Sequence, residues 1–184
     1  MTPSVFVSYN PNSETEQTLA LRLHTIGAVH GFNMILPDRS LDTTIVSRET
    51  QSRILTSDFF ILFSTVSLSS VVQKEINIAF SKYKDKSKIL VIYDKVNGKN
   101  LDGAENCTEV YIDTREDALK IVSEIASKLR TNKPNSDSSF LSALAGILLI
   151  GVGLFAMTEM ITLPRKPKKR PKTAISKKKA KSNA

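Results

Sequence analysis

With 184 residues, the chain has room for one ordinary domain and an appendage. A single cysteine, Cys107, excludes a disulfide framework and a cysteine-based zinc site, and with only two histidines the composition argues against a metal enzyme. The formal charge of +8 belongs to one end: residues 164–184 carry ten Lys or Arg and no acid, whereas residues 1–139 hold sixteen bases against seventeen acids, so the high pI does not point to a nucleic-acid-binding folded part.

Residues 4–9, "SVFVSY", form a β-branched and aromatic run and predict a buried first strand. "NPNSE" follows as a turn and helix start, with Ser13 as N-cap and Glu16 at capping-box distance. Leu19, Leu23, Ile26 and Val29 give a helical stripe that stops at His30-Gly31. "FNMIL" is the second strand, followed by the polar loop "PDRSLDTT", residues 37–44, where Asp38 and Asp42 are turn formers. A helix over residues 46–55 leads to the third strand, "DFFILFS", and a further helix is predicted over "SSVVQKEINIAFSKY", residues 69–83. "KILVIYD" is an apolar fourth strand. A loop with Asn97-Gly98 and Asp102-Gly103 then leads to the short strand "EVYID", and "REDALKIVSEIASKLR" closes the domain as an amphipathic helix. Strands that alternate with helices and are apolar on both faces predict a flavodoxin-like α/β domain over residues 1–130. Its five-stranded parallel sheet would carry helices on both faces.

Residues 131–139, "TNKPNSDSS", read as a polar linker. Residues 140–163 then run 24 residues with one charge, Glu159. As a helix this segment would reach about 36 Å, against a hydrocarbon core of about 30 Å, and it is expected to cross a membrane once. The basic tail, 164–184, has almost no apolar content and no interleaved aromatics. It is expected to be disordered and to act on lipid headgroups or on topology rather than on nucleic acid. Nothing ahead of the first strand resembles a signal peptide, so the domain is expected in the cytoplasm.

One residue is out of keeping with this plan. At about 100° per residue, Val72, Ile76, Ala79, Phe80 and Tyr83 form the apolar stripe of their helix, and Glu75 stands at its margin. Its neighbours three and four residues away are Val71, Val72, Ile78 and Ala79, none of which can pair with a carboxylate. A solvated border residue is one explanation, and a carboxylate facing a cleft is the other. In an open parallel sheet, ligands bind beyond the carboxyl ends of the strands, where the loop after "DFFILFS" leads into this helix.

"FVSY" at the first strand, "HGF" before the second, "SDFFILFS" at the third and "KEI..AF" after it occur in one order over residues 3–130. In that order the chain resembles a Toll/interleukin-1 receptor (TIR) domain, and it is similar in particular to the NAD-cleaving members. The resemblance implies that Glu75 is the catalytic glutamate. It also implies that Tyr9, Asn10 and Pro11 wall the pocket and that the loop over residues 37–44 covers or abuts it. Arg39, in that loop, is a candidate phosphate contact, with an exposed loop arginine as the alternative. Val71 occupies the position where many active members carry Trp. The loop after the second strand also lacks the glycine common there.

NAD would be the substrate, with no resident cofactor and no metal, and TIR–TIR contacts between copies would be the expected partners. The products would be ADP-ribose or a cyclic or conjugated derivative, in immune or cell-death signalling. Two other functions fit the same sequence. One is a non-enzymatic TIR scaffold, and the other is a membrane-disrupting effector with a sensory TIR domain.

Overall fold

In a computed structural model, the structure describes residues 2–29, 31–39 and 45–131. His30, residues 40–44 of the loop after the second strand, the linker beyond Thr131, the expected span and the basic tail lie outside the described residues. In chain order the elements are β1 (Ser4–Ser8), α1 (Glu14–Val29), β2 (Asn33–Ile35), α2 (Arg48–Thr56), β3 (Phe59–Ser64) and α3 (Ser70–Lys82). A 3₁₀ turn at Lys86–Lys88 precedes β4 (Ile89–Asp94), β5 (Thr108–Ile112) and α4 (Ala118–Thr131). No described helix is long and apolar enough to cross a membrane.

The strands form one five-stranded sheet in the order β2-β1-β3-β4-β5, every pair parallel. Alternation along each strand divides the core in two. Val5 and Val7, Ile61 and Phe63, Leu90 and Ile92 point to one face, where Leu19, Leu23 and Ile26 of α1 and Ile121, Val122 and Ile125 of α4 cover them. Phe6, Phe60, Leu62, Val91 and Tyr93 point to the other, under Ile54 of α2 and Val72, Ile76 and Ala79 of α3. Both faces are therefore buried, and each large apolar side chain so placed contributes about 1.5–3 kcal/mol.

Element boundaries differ from the sequence expectation in small ways. The second helix begins at Arg48 because the Ser47 hydroxyl accepts the Thr50 N–H (3.0 Å) and caps it there. Val29 was expected on the core stripe of α1 and is instead 73 % exposed. The buried arc of α1 is Glu16, Leu19, Ala20, Leu23, Ile26 and Gly27. It centres near Leu23, and Val29 lies about 120° from that centre. On α3 the arc is likewise turned, over Val71, Val72, Glu75, Ile76 and Ala79. Glu75 is thus within the buried arc rather than at its border, and Phe80 moves to the edge.

Candidate functional site

Chain leaving β1 travels through α1 to β2, and chain leaving β3 travels through α3 to β4, in opposite directions along the sheet. The gap between β1 and β3 at their carboxyl ends is therefore a topological switch point, the usual ligand crevice of such sheets. Ser8 ends β1 there, and α3 brings Glu75 against it. The Glu75 side chain is 0 % exposed. Its Oε2 accepts the Ser8 hydroxyl at 2.6 Å and Nη2 of Arg39 at 3.0 Å. Nη1 of Arg39 stands 2.7 Å from Oε1, an ion contact without hydrogen-bond alignment, so Oε1 and the buried Arg39 Nε both lack a hydrogen-bond partner.

Arg39 reaches this position from the loop after β2, whose start is pinned to α2. The Asp38 N–H donates to the Thr50 hydroxyl (2.9 Å), and Arg53 Nη1 donates to the Leu36 carbonyl (2.8 Å). The guanidinium also donates to the Tyr9 carbonyl at 3.2 Å, and its carbon lies 5.7 Å from the centre of the Tyr9 ring. The Arg39 side chain is 13 % exposed, so it is neither an exposed loop arginine nor free for a phosphate in this arrangement. Burial pushes the Glu75 carboxyl above the ordinary glutamate range, against the opposing effects of Arg39 and the Ser8 hydroxyl. Burial also raises the Tyr9 phenol, with Arg39 opposing and Glu75 adding to the shift.

The expected wall residues separate into different roles. Tyr9 is half-buried and faces the ion pair. Asn10 is a staple across the crevice: its Nδ2 donates to the Ser67 carbonyl (2.8 Å), and its Oδ1 accepts the Asn12 N–H (3.0 Å). Pro11 gives its carbonyl to Gln17 Nε2 (2.6 Å). Val71 is fully buried in the core beneath α3 and presents no wall.

A second buried carboxylate at the same switch point was read from the sequence only as half of a capping box. Ser13 does cap α1, accepting the Glu16 N–H at 3.3 Å, but the Glu16 side chain turns away from it. Instead Glu16 Oε2 accepts the Asn10 N–H (2.7 Å), while Oε1 accepts the N–H and hydroxyl of Thr65 (both 2.8 Å) and the Val66 N–H (3.3 Å). It ties the loop after β1 to the loop after β3. Burial raises its carboxyl, with these donors opposing. The available signal was its place on the Leu19–Leu23 stripe, where an unpaired acid would not be buried.

Among the described residues, surface cavities flank other elements. One lies between α1 and α4 at Leu21, Ile26 and Leu119, a second beside it at Thr18, Thr114 and Ile121, and a third by Ser57, Lys82 and Lys88. None is lined by Glu75. No cluster of three or more potential metal ligands occurs among the described residues. No family model matches the chain, and no curated protein matches it either.

Proposed function

We propose that the chain is a membrane-anchored TIR-type enzyme that cleaves NAD at the nicotinamide–ribose bond. The observation that carries this reading is Glu75: a fully buried carboxylate at the switch point, beside the end of β1, engaged with a planar cation next to an aromatic ring. In the reaction, the bond between ribose C1′ and the nicotinamide nitrogen breaks. Its electron pair goes to the ring nitrogen, which leaves as neutral nicotinamide, and the ribose carries the positive charge. A carboxylate in a site that excludes water stabilises that charge most strongly. Ser8 fixes Oε2, while Oε1, which lacks a hydrogen-bond partner, is an acceptor for a ribose hydroxyl. Water then gives ADP-ribose and a proton, an internal base nitrogen gives a cyclic product, and another nucleophile gives a conjugate. Substrate access requires Arg39 to withdraw from Glu75.

A second reading, the non-enzymatic scaffold, draws on two facts. Glu75 is closed over by its own ion pair, and Val71 stands in the core where a stacking tryptophan would be expected. Incubating the purified full chain with NAD and following nicotinamide release separates the two. The enzymatic reading predicts release, and about 100-fold less from Glu75→Gln, which keeps the shape and removes the charge. Equal release from variant and parent removes Glu75 from the reaction, and no release from the assembled parent favours the scaffold.

A further inference from the structure

Among the described residues, the groups that contact the Arg39 guanidinium are electron-rich. Both Glu75 oxygens, the Tyr9 carbonyl and the face of the Tyr9 ring lie against it, and the Ser8 hydroxyl, which also reaches Glu75, donates to Oε2. Such surroundings select a flat, positively charged group. The pair is nevertheless imperfect as a structural element. A buried guanidinium that existed to hold the fold together would use its donors fully, yet Arg39 Nε is buried without a partner and the contact to Glu75 Oε1 is off line. The backbone of the loop is held independently through Thr50 and Arg53, so the guanidinium can leave by side-chain rotation while Asp38 and Leu36 stay in place.

We infer that Glu75, Ser8 and Tyr9 form a seat for planar organic cations, and that Arg39 is an internal ligand that fills it and keeps Glu75 closed to external ones. The inference rests on the proposed reaction for its choice of ligand, a pyridinium or a ribosyl cation, both flat and positively charged like the guanidinium. A ligand that displaces Arg39 competes with a tethered group, so the apparent affinity of the unaltered protein is lowered by the fraction of molecules in which the seat is filled.

The test compares binding of 1-methylnicotinamide, methylguanidinium and neutral nicotinamide to the full chain and to Arg39→Ala, by calorimetry. The expected result is that 1-methylnicotinamide binds Arg39→Ala at least roughly tenfold tighter than the parent. The gain should vanish when Glu75→Gln is added, and neutral nicotinamide should show none. Binding of methylguanidinium alone would make the site a private arginine socket and overturn the inference, as would no gain for either cation. Should Arg39→Ala fail to fold, Arg39→Lys serves for the same comparison, because its single nitrogen cannot span both carboxylate oxygens. Binding needs no turnover, so the two ideas fail separately. Pyridinium binding without nicotinamide release keeps the seat and removes the NAD-cleaving reading. Release that depends on Glu75 without any gain in binding does the reverse.

Discussion

Glu75 and Glu16 lie on opposite sides of one crevice, and their partners differ in kind. Glu16 is saturated by neutral donors from two loops, whereas Glu75 is half satisfied, by one hydroxyl and one cation that can leave. The first arrangement holds structure and the second suits chemistry. Glu16→Ala would leave the Asn10 N–H and the N–H and hydroxyl of Thr65 buried and unpaired, at about 1–3 kcal/mol each before relaxation. We expect a drop of more than about 3 kcal/mol in urea unfolding, and a loss below about 1 kcal/mol would mean that water replaces the carboxylate. For Glu75 the raised carboxyl pKa gives activity and stability opposite signs. In the proposed reaction the ionised form acts, so nicotinamide release is expected to fall as pH drops through the folded pKa, higher than the ordinary value of about 4.3. The protonated form is the one that burial favours. Its contribution to stability is therefore full below the unfolded pKa and lost as pH rises through the folded one. An acid limb of the rate profile at or below the ordinary glutamate value would contradict this assignment. At this scale the sequence marked Glu75 because no neighbour on its own helix could pair with it. It could not reveal Arg39 or Ser8 as partners, which come from 36 and 67 residues away. Glu16 was hidden because a helix start offers a ready local use for a glutamate.

Among the elements, legibility followed periodicity. The three central strands β1, β3 and β4 were readable as apolar runs, because strands buried on both faces leave no polar alternation to confuse with a helix, whereas the edge strands β2 and β5 are short and partly exposed. The parallel direction of β1 to β4 also followed from the alternation with helices, whereas β5 is reached from β4 through a loop and is parallel to it all the same. What periodicity could not fix was how each helix is turned about its axis. The stripe of α1 was drawn through Val29, yet the structure turns it toward Ala20 and Gly27. The reason is contact with β2: a Cβ on Gly27 would stand 2.6 Å from Met34 Cγ and Sδ. Glycine lets α1 approach the short strand closely. Gly27→Ala sets about 1 kcal/mol of gained helix propensity against about 1–3 kcal/mol of overpacking around buried Met34. We expect a net loss of about 1 kcal/mol in urea unfolding, since Met34 is enclosed between α1 and the sheet. A gain in stability would mean that the thioether swings clear and that closeness here is incidental.

At the scale of the whole molecule, charge and chemistry pull the C-terminal segment in opposite directions. Ten bases follow Leu163 with no acid among them, and the positive-inside rule keeps such a tail in the cytoplasm. Each base near an anionic leaflet adds about 1 kcal/mol to that preference. If residues 140–163 cross the bilayer once, a cytoplasmic tail puts residues 1–130 outside. The proposed reaction needs them inside, where NAD is. The domain itself, with sixteen bases and seventeen acids up to residue 139, has no charge bias toward either side. Substrate supply then decides between the two. We expect the domain in the cytoplasm, with the segment either carrying its tail across or turning back at Gly151-Val152-Gly153. A tag at the end of the tail distinguishes these arrangements: external protease removes it from intact cells in the first and spares it in the second. Both predict that residues 1–130 survive that protease. Digestion of the domain from outside would reverse the topology, and it would separate Glu75 from the substrate on which its proposed role depends.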